Sequence, residues 1–178
     1  MTNRRQWTLI LGIAMAVVFT TALVIRVLPE IELVGVGANA PAFHAIDLAT
    51  SKASGLEAYR GRPILLNIWA TWCPPCRVEM PSMQRLWRHM QGTDFRIVAV
   101  SIDVDDSSAV TAFAKQLGLT FDILHDQSGR IQKLYQTTGV PESFVIDRHG
   151  VIVKKVISAT EWDAPVNEML IRRLLDER

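Results

Sequence analysis

Residues 67–81 read Asn-Ile-Trp-Ala-Thr-Trp-Cys-Pro-Pro-Cys-Arg-Val-Glu-Met-Pro, and the fold is decided there. An apolar run of β type, Ile64 to Trp69, leads into Cys73-Pro74-Pro75-Cys76. Beyond it Met80, Met83, Leu86, Trp87 and Met90 recur at spacings of three and four, the pattern of a helix with one apolar face. The cysteines therefore stand where a strand ends and a helix begins. Unpaired N–H groups and the positive end of the helix dipole favour an anion at that point. A Cys-x-x-Cys thiol so placed can have its pKa lowered from about 8.5 to between roughly 3.5 and 7.5, and the thiolate is the nucleophile. Pro74 and Pro75 suit the first helical turn, where a missing N–H leaves nothing unpaired. Cys76 falls one turn behind Cys73, near enough to close a disulfide. Cys73 is read as the attacking thiol and Cys76 as the resolving one.

The chain has 2 cysteines in all, so a four-thiolate zinc site within one chain is excluded. A purely structural disulfide closing so short a loop would add little, because the entropy removed from the unfolded chain grows with loop length. The chemistry expected of the pair is redox exchange.

Trp-Ala-Thr-Trp-Cys-Pro-Pro-Cys-Arg-x-Glu-Met-Pro resembles the active-site segment of the thioredoxin superfamily. More narrowly, it resembles the membrane-anchored TlpA/ResA-like thiol-disulfide oxidoreductases, which include the cytochrome c maturation thioredoxins. The likeness covers about residues 37–175. It implies an α/β thioredoxin-like fold, a mixed central sheet flanked by helices, with an N-terminal β extension and a central βα insertion.

At 178 residues, 49 % apolar and net charge +1, the chain has room for one ordinary domain and a little more. The near-neutral charge and the lack of a basic run give no reason to expect nucleic acid. The extra length is at the front. Trp7 to Ile25 carries no charge and as a helix spans about 28 Å, close to the roughly 30 Å core of a bilayer. A cleaved signal peptide is the rival reading, but its apolar region is shorter, about 7–15 residues. The expectation is an uncleaved anchor over residues 1–28. Arg4 and Arg5 precede the span, while Arg26 after it is followed by Glu30 and Glu32, so the N-terminus is expected in the cytoplasm and the remainder on the periplasmic side. Disulfides persist in that compartment. Residues 29–40, with two glycines and no sustained period, read as a linker, and residues 41–178 as the thioredoxin-like domain.

Along the domain, Pro41 to Leu48 reads as a first strand, followed by a turn at 49–52 and a short helical turn from Gly55 to Arg60. Arg62 to Trp69 is a central strand whose unbroken apolar character implies burial on both faces. The active-site helix runs from about Pro74 to Met90 with Pro81 inside it, an offset thioredoxin-like folds share. Phe95 to Ile102 is a second central strand. Asp105-Asp106-Ser107 caps a helix carrying Val110, Phe113, Ala114 and Leu117, which Gly118 ends. Phe121 to Leu124 is a short strand, and Ser128 to Gln136 a helix with Ile131, Leu134 and Tyr135 inward. Ser143 to Asp147 and Val151 to Ile157 form a hairpin about Arg148-His149-Gly150. Thr160 is expected to cap a last helix bearing Val166, Met169, Leu170 and Leu174.

Several further residues are candidates. By base rate an X-Pro bond is trans, but the resemblance implies a cis Val140–Pro141 bond lying against the cysteine pair. The backbone beside it would bind an extended substrate segment as an added strand does. Glu142 matches the Pro-Glu-Thr variant of the cytochrome c maturation thioredoxins, the alternative being an exposed edge-strand acid. Trp72, Pro74 and Pro75, flanking the nucleophile, complete the expected substrate surface. Glu79 lies three residues past Cys76 on the same helix face, where a carboxylate of raised pKa can accept the Cys76 proton. ResA-like proteins carry a functional glutamate at that offset; an ordinary first-turn acid favoured by the dipole is the bland alternative. Thioredoxin itself uses a buried Asp six residues before its first cysteine, and here that position is Asn67, which cannot titrate. Trp69 is read as core. His44, His89, His125 and His149 are scattered without ligand spacing and are read as structural or exposed.

The resemblance implies a reductant of disulfides in extracytoplasmic proteins, apocytochrome c among them. Re-reduction would come from a membrane electron-transfer protein of the DsbD/CcdA kind. No cofactor or metal beyond the redox disulfide is expected, and a monomer is. Three rival readings fit the sequence less well. An oxidant of the DsbA kind usually has a larger helical insertion and a histidine where this chain has Pro75. A peroxiredoxin's peroxidatic cysteine has no partner three residues on. A Sco-like copper module needs a wider cysteine spacing and a partnered histidine.

Overall fold

The computed structural model describes residues 2–27 and 33–177. They divide into two compact units, residues 1–32 and residues 33–178. The first is a single helix, α1 (Thr2–Val27), in which Gln6–Val24 has a mean hydropathy of 2.2, long and apolar enough to cross a membrane. Residue 28 of the expected anchor and residues 29–32 of the expected linker lie outside the described residues.

The second unit holds β1 (His44–Asp47), β2 (Ala53–Gly55), a 3-10 turn (Leu56–Tyr59), β3 (Ile64–Trp69), α2 (Pro74–His89) and β4 (Arg96–Ser101). It continues with α3 (Ser107–Gln116), β5 (Asp122–His125), α4 (Arg130–Leu134), β6 (Glu142–Ile146), β7 (Ile152–Ile157) and α5 (Pro165–Asp176). The seven strands form one sheet in the order β2-β1-β5-β4-β3-β6-β7. β3 lies at its functional centre, parallel to β4 and antiparallel to β6. Every residue of β3 is buried, as its continuous apolar run requires of a strand covered on both faces. On one face Asn67 bonds to α2 and Trp69 stacks on Phe113 of α3 at 5.3 Å. On the other, Leu66 pairs with Phe144, whose ring meets Tyr135 edge-on at 5.0 Å.

The α3–β5 segment is the expected central insertion. Its β5 pairs parallel to β4 and antiparallel to β1, tying the N-terminal hairpin into the sheet. Asp106 caps α3 by accepting from the Ser108 N–H at 2.7 Å.

Five local expectations are corrected. The N-terminal extension is a hairpin rather than one strand, because Ala53–Gly55 pairs antiparallel with β1. The linker does not run free to residue 40: Gly37 and Ala40 donate N–H bonds to the Ile152 and Gly150 carbonyls, joining the start of β7. Leu134 is exposed, since α4 is barely one turn and only Ile131 and Tyr135, four apart, share its inner face. Thr160 does not cap the last helix, which starts five residues later with Ala164 as its cap and Pro165 in its first turn. That later start turns Val166 and Met169 to solvent, while Asn167, Ile171 and Leu174 point inward.

Candidate active site

Cys73 is the N-cap of α2, and Pro74 and Pro75 occupy its first positions. The apolar strand delivers the chain to this point, the two prolines fix the helical φ of the first turn, and the Met80/Met83/Leu86 face locks α2 onto the sheet. Cys73 and Cys76 form a disulfide with Cα atoms 5.3 Å apart. The Cys76 N–H donates to Cys73 Sγ at 3.2 Å, so the helix start already solvates the sulfur that would carry negative charge on reduction.

The site has an exposed rim and a buried floor. Trp72 stands 64 % exposed beside the pair, and Pro74 and Pro75 are also at the surface. Val140–Pro141 is a cis peptide, and the Val140 carbonyl oxygen lies 3.3 Å from Cys73 Sγ. The loop before β6 is thereby set against the disulfide. Cys76 is fully buried, so bulk water does not reach its sulfur.

Behind the pair sits Glu79, 1 % exposed. Asn67 Nδ2 donates to its Oε1 at 2.7 Å and the Thr160 N–H to its Oε2 at 3.3 Å. The Trp162 indole N–H faces the carboxyl without completing a hydrogen bond. Burial pushes the Glu79 pKa up to about 7, and these donors only partly pull it back. Asn67 is held by two elements at once, since its Nδ2 also reaches Ser143 Oγ on β6 at 2.8 Å. Ser82 and the 160–162 segment close the cage: Ser82 Oγ accepts from the Trp162 main-chain N–H at 3.0 Å and donates to the Glu79 main-chain carbonyl at 2.8 Å.

Glu142 is fully buried rather than an exposed edge acid. Its Oε1 lies 2.8 Å from Lys155 Nζ on β7, and its Oε2 accepts from the Thr138 N–H at 3.1 Å. The carboxylate thus braces residues 138–141, the segment that faces Cys73. Of the nine residues expected at the site, Trp72, Pro74 and Pro75 are exposed at its rim and Val140 is half-buried, while Cys73, 3 % exposed, and Pro141 lie just inside it. Cys76, Glu79 and Glu142 lie beneath it. Three positions escaped the sequence reading: Asn67 as a partner of Glu79, Lys155 as the counter-ion of Glu142, and Asp103. Asn67 meets Glu79 across β3 and α2, Lys155 meets Glu142 across the β6–β7 hairpin, and Asp103 holds Thr71 from beyond the end of β4, and no local spacing signals any of these contacts.

A dithiol pair at the strand-to-helix junction of such a sheet defines a thiol-disulfide exchange protein of thioredoxin fold. Residues 36–155 match the AhpC/TSA family. The chain belongs to that family, among its ResA-like thiol-disulfide oxidoreductases. It is 36 % identical over 141 residues to the thiol-disulfide oxidoreductase ResA of Geobacillus thermodenitrificans, covering 79 % of each chain. Among solved structures it resembles a putative thiol:disulfide interchange protein DsbE from Chlorobium tepidum, with TM-score 0.72 and 28 % identity over 81 % of this chain and 99 % of that one. A putative protein disulfide isomerase from Bacteroides thetaiotaomicron gives TM-score 0.72 and 29 % identity, over 81 % and 92 % of the two chains.

Proposed function

We propose that this oxidoreductase is a membrane-tethered reductant of extracytoplasmic protein disulfides, working through Cys73 and Cys76. The Cys73 thiolate attacks a target disulfide, forming a mixed disulfide and releasing one target thiolate. Cys76 then gives its proton to Glu79 and attacks Cys73 Sγ. The second target thiolate leaves and both target thiolates take protons from water. The target gains two electrons, and the chain is left with the Cys73–Cys76 disulfide.

The observation that carries this reading is the burial of Cys76 and Glu79 together behind the exposed rim. A thiol shut off from water needs an internal proton acceptor, and a carboxyl with a pKa of about 7 is matched to that task near neutral pH. Trp72, Pro74, Pro75 and the Val140–Pro141 backbone form the substrate surface. Glu142, being buried, acts there by holding the 138–141 backbone in place.

The tether is α1, and the charge pattern around it supports an N-terminus in the cytoplasm and a catalytic unit in the periplasm. The wider family resemblance supports apocytochrome c as a substrate and a membrane electron donor of the DsbD/CcdA kind. The test is to express Cys76→Ser in cells and identify trapped mixed disulfides, with Cys73→Ser as control. Extracytoplasmic Cys-x-x-Cys proteins captured by Cys76→Ser alone support the reading. Capture by Cys73→Ser instead reverses the assigned roles, and capture of cytoplasmic proteins alone removes the proposed location.

A further inference from the structure

Besides Glu79 and Glu142, a third buried carboxylate lies near the site and has no part in the steps above. Asp103, just past β4, is 4 % exposed. Its Oδ2 accepts from Ser101 Oγ at 2.6 Å and from the Thr71 N–H at 3.0 Å. Its Oδ1 accepts from Thr71 Oγ1 at 2.5 Å and, more distantly, from the same N–H at 3.3 Å. Among the described residues no lysine or arginine pairs with it. The carboxylate is instead held by neutral donors, two of them on one residue. Thr71 is thereby gripped by backbone and side chain together.

Thr71 lies in the turn between β3 and α2, one residue before exposed Trp72 and two before Cys73. The other side of Asp103 is anchored in the insertion. His125 Nε2, at the end of β5, lies 2.8 Å from the Asp103 main-chain oxygen, and Gln127 Nε2 donates to the Val104 carbonyl at 2.9 Å. A continuous run of polar contacts therefore connects the end of β5 through residues 103–104 to the turn carrying the nucleophile. The α3–β5 insertion, whose Phe113 already meets Trp69 and Arg77 on either side of the cysteine pair, has here a polar hold on the turn as well.

We propose that Asp103 is a positioning residue for thiol-disulfide exchange, fixing the β3–α2 turn through Thr71 so that Cys73 is presented in line with the incoming disulfide. The inference rests on Cys73 being the attacking thiol. Attack on sulfur needs the reacting atoms aligned, and small misplacements cost rate rather than fold. A role confined to stabilising the end of β4 would leave the rate of exchange unchanged once the protein is folded.

The test uses the full chain in detergent with insulin disulfides as the probe and dithiothreitol as the reductant that restores the Cys73–Cys76 dithiol after each turnover. Wild type, Cys73→Ser, Thr71→Val, Thr71→Ser and Asp103→Asn are compared, with the rate of dithiothreitol alone subtracted. Thr71→Val keeps the shape of the side chain and removes only the hydroxyl bond. The expected result is a kcat about tenfold lower for Thr71→Val with KM within about twofold, and recovery to within about twofold of wild type in Thr71→Ser. Asp103→Asn is expected to lose kcat likewise. If Asp103→Asn does not fold, the two Thr71 variants decide. Thr71→Val at wild-type kcat, or Thr71→Ser no better than Thr71→Val, overturns the positioning role. Wild type no more active than Cys73→Ser would remove the functional reading itself and this inference with it. An active wild type with unaltered Thr71 variants removes this inference alone.

Discussion

Asn67 Nδ2 donates to Glu79 Oε1 across 2.7 Å, joining the central strand to the active-site helix beneath the cysteine pair. Thioredoxin-like proteins with an aspartate at this strand position keep the titrating group on the strand. Here the strand supplies an amide and the helix the acid. An amide can serve both protonation states, its NH2 donating to a carboxylate and its carbonyl, after a half turn, accepting from a carboxylic acid. Asn67 Oδ1 has no other partner, leaving it available for the second role.

Glu79→Gln tests the proton acceptor. Glu79 accepts a proton only when ionised, so the rate of resolution by Cys76 in wild type is expected to rise as pH increases through about 7. The variant should lose that inflection and, near pH 7.5, on the order of 10²-fold in rate. Stopped-flow measurement of mixed-disulfide resolution across pH 5–9 reads both. A retained inflection assigns the proton to another group.

The same shift affects stability. Glu79 has a folded pKa of about 7 against 4.5 as its ordinary value, so the folded state binds the proton more tightly than the unfolded one. Stability should be greatest below about pH 4.5 as far as this group is concerned, and fall by roughly 3 kcal/mol as pH rises through about 7. Oxidised wild type should therefore show a Tm that drops between pH 5 and pH 8, with a flatter profile in Glu79→Gln. Equal slopes in the two proteins would contradict the assignment.

Replacing Asn67 by Ala removes a donor that favours the Glu79 carboxylate. The kinetic inflection should move to higher pH, while the protein loses about 1–3 kcal/mol from the broken buried bonds. An inflection that stays put, measured in the same stopped-flow series, would show that Asn67 does not tune the acid.

The Glu142–Lys155 pair makes a prediction of a different kind. Lys155→Met leaves a fully buried carboxylate without its cation, which should cost about 3 kcal/mol, the lower end of the range because Lys155 keeps 22 % of its side chain exposed. Adding Glu142→Gln should recover much of that loss. Chemical denaturation of the two single variants and the double variant gives the coupling directly, and strictly additive losses would mean that the two groups do not interact.

Much of the site was legible because its signals are local. Cys73 and Cys76 lie between an apolar strand and two prolines, and Glu79 is one turn further on; spacing alone places all three. Burial of Glu79 was not readable from spacing, since it depends on the Thr160–Trp162 segment folding back eighty residues later. Ala53–Gly55 has little strand propensity of its own. Pairing with β1 makes it a strand, in a fit so close that a Cβ on Gly55 would sit 1.9 Å from the Phe43 carbonyl oxygen. Thr160 looked like a cap because threonine favours that position, yet its N–H is committed to Glu79 and the helix begins at the Ala164–Pro165 step instead. In each case a long-range contact overrode a local preference.

The most direct test of a reducing role is the reduction potential of the Cys73–Cys76 pair in the full-length protein, equilibrated against glutathione at pH 7. A reductant is expected to fall between about −270 mV, the value of thioredoxin, and about −200 mV. A value near the −120 mV of DsbA would mean that the reduced form is the stabilised one, roughly reversing the direction of electron flow assigned here.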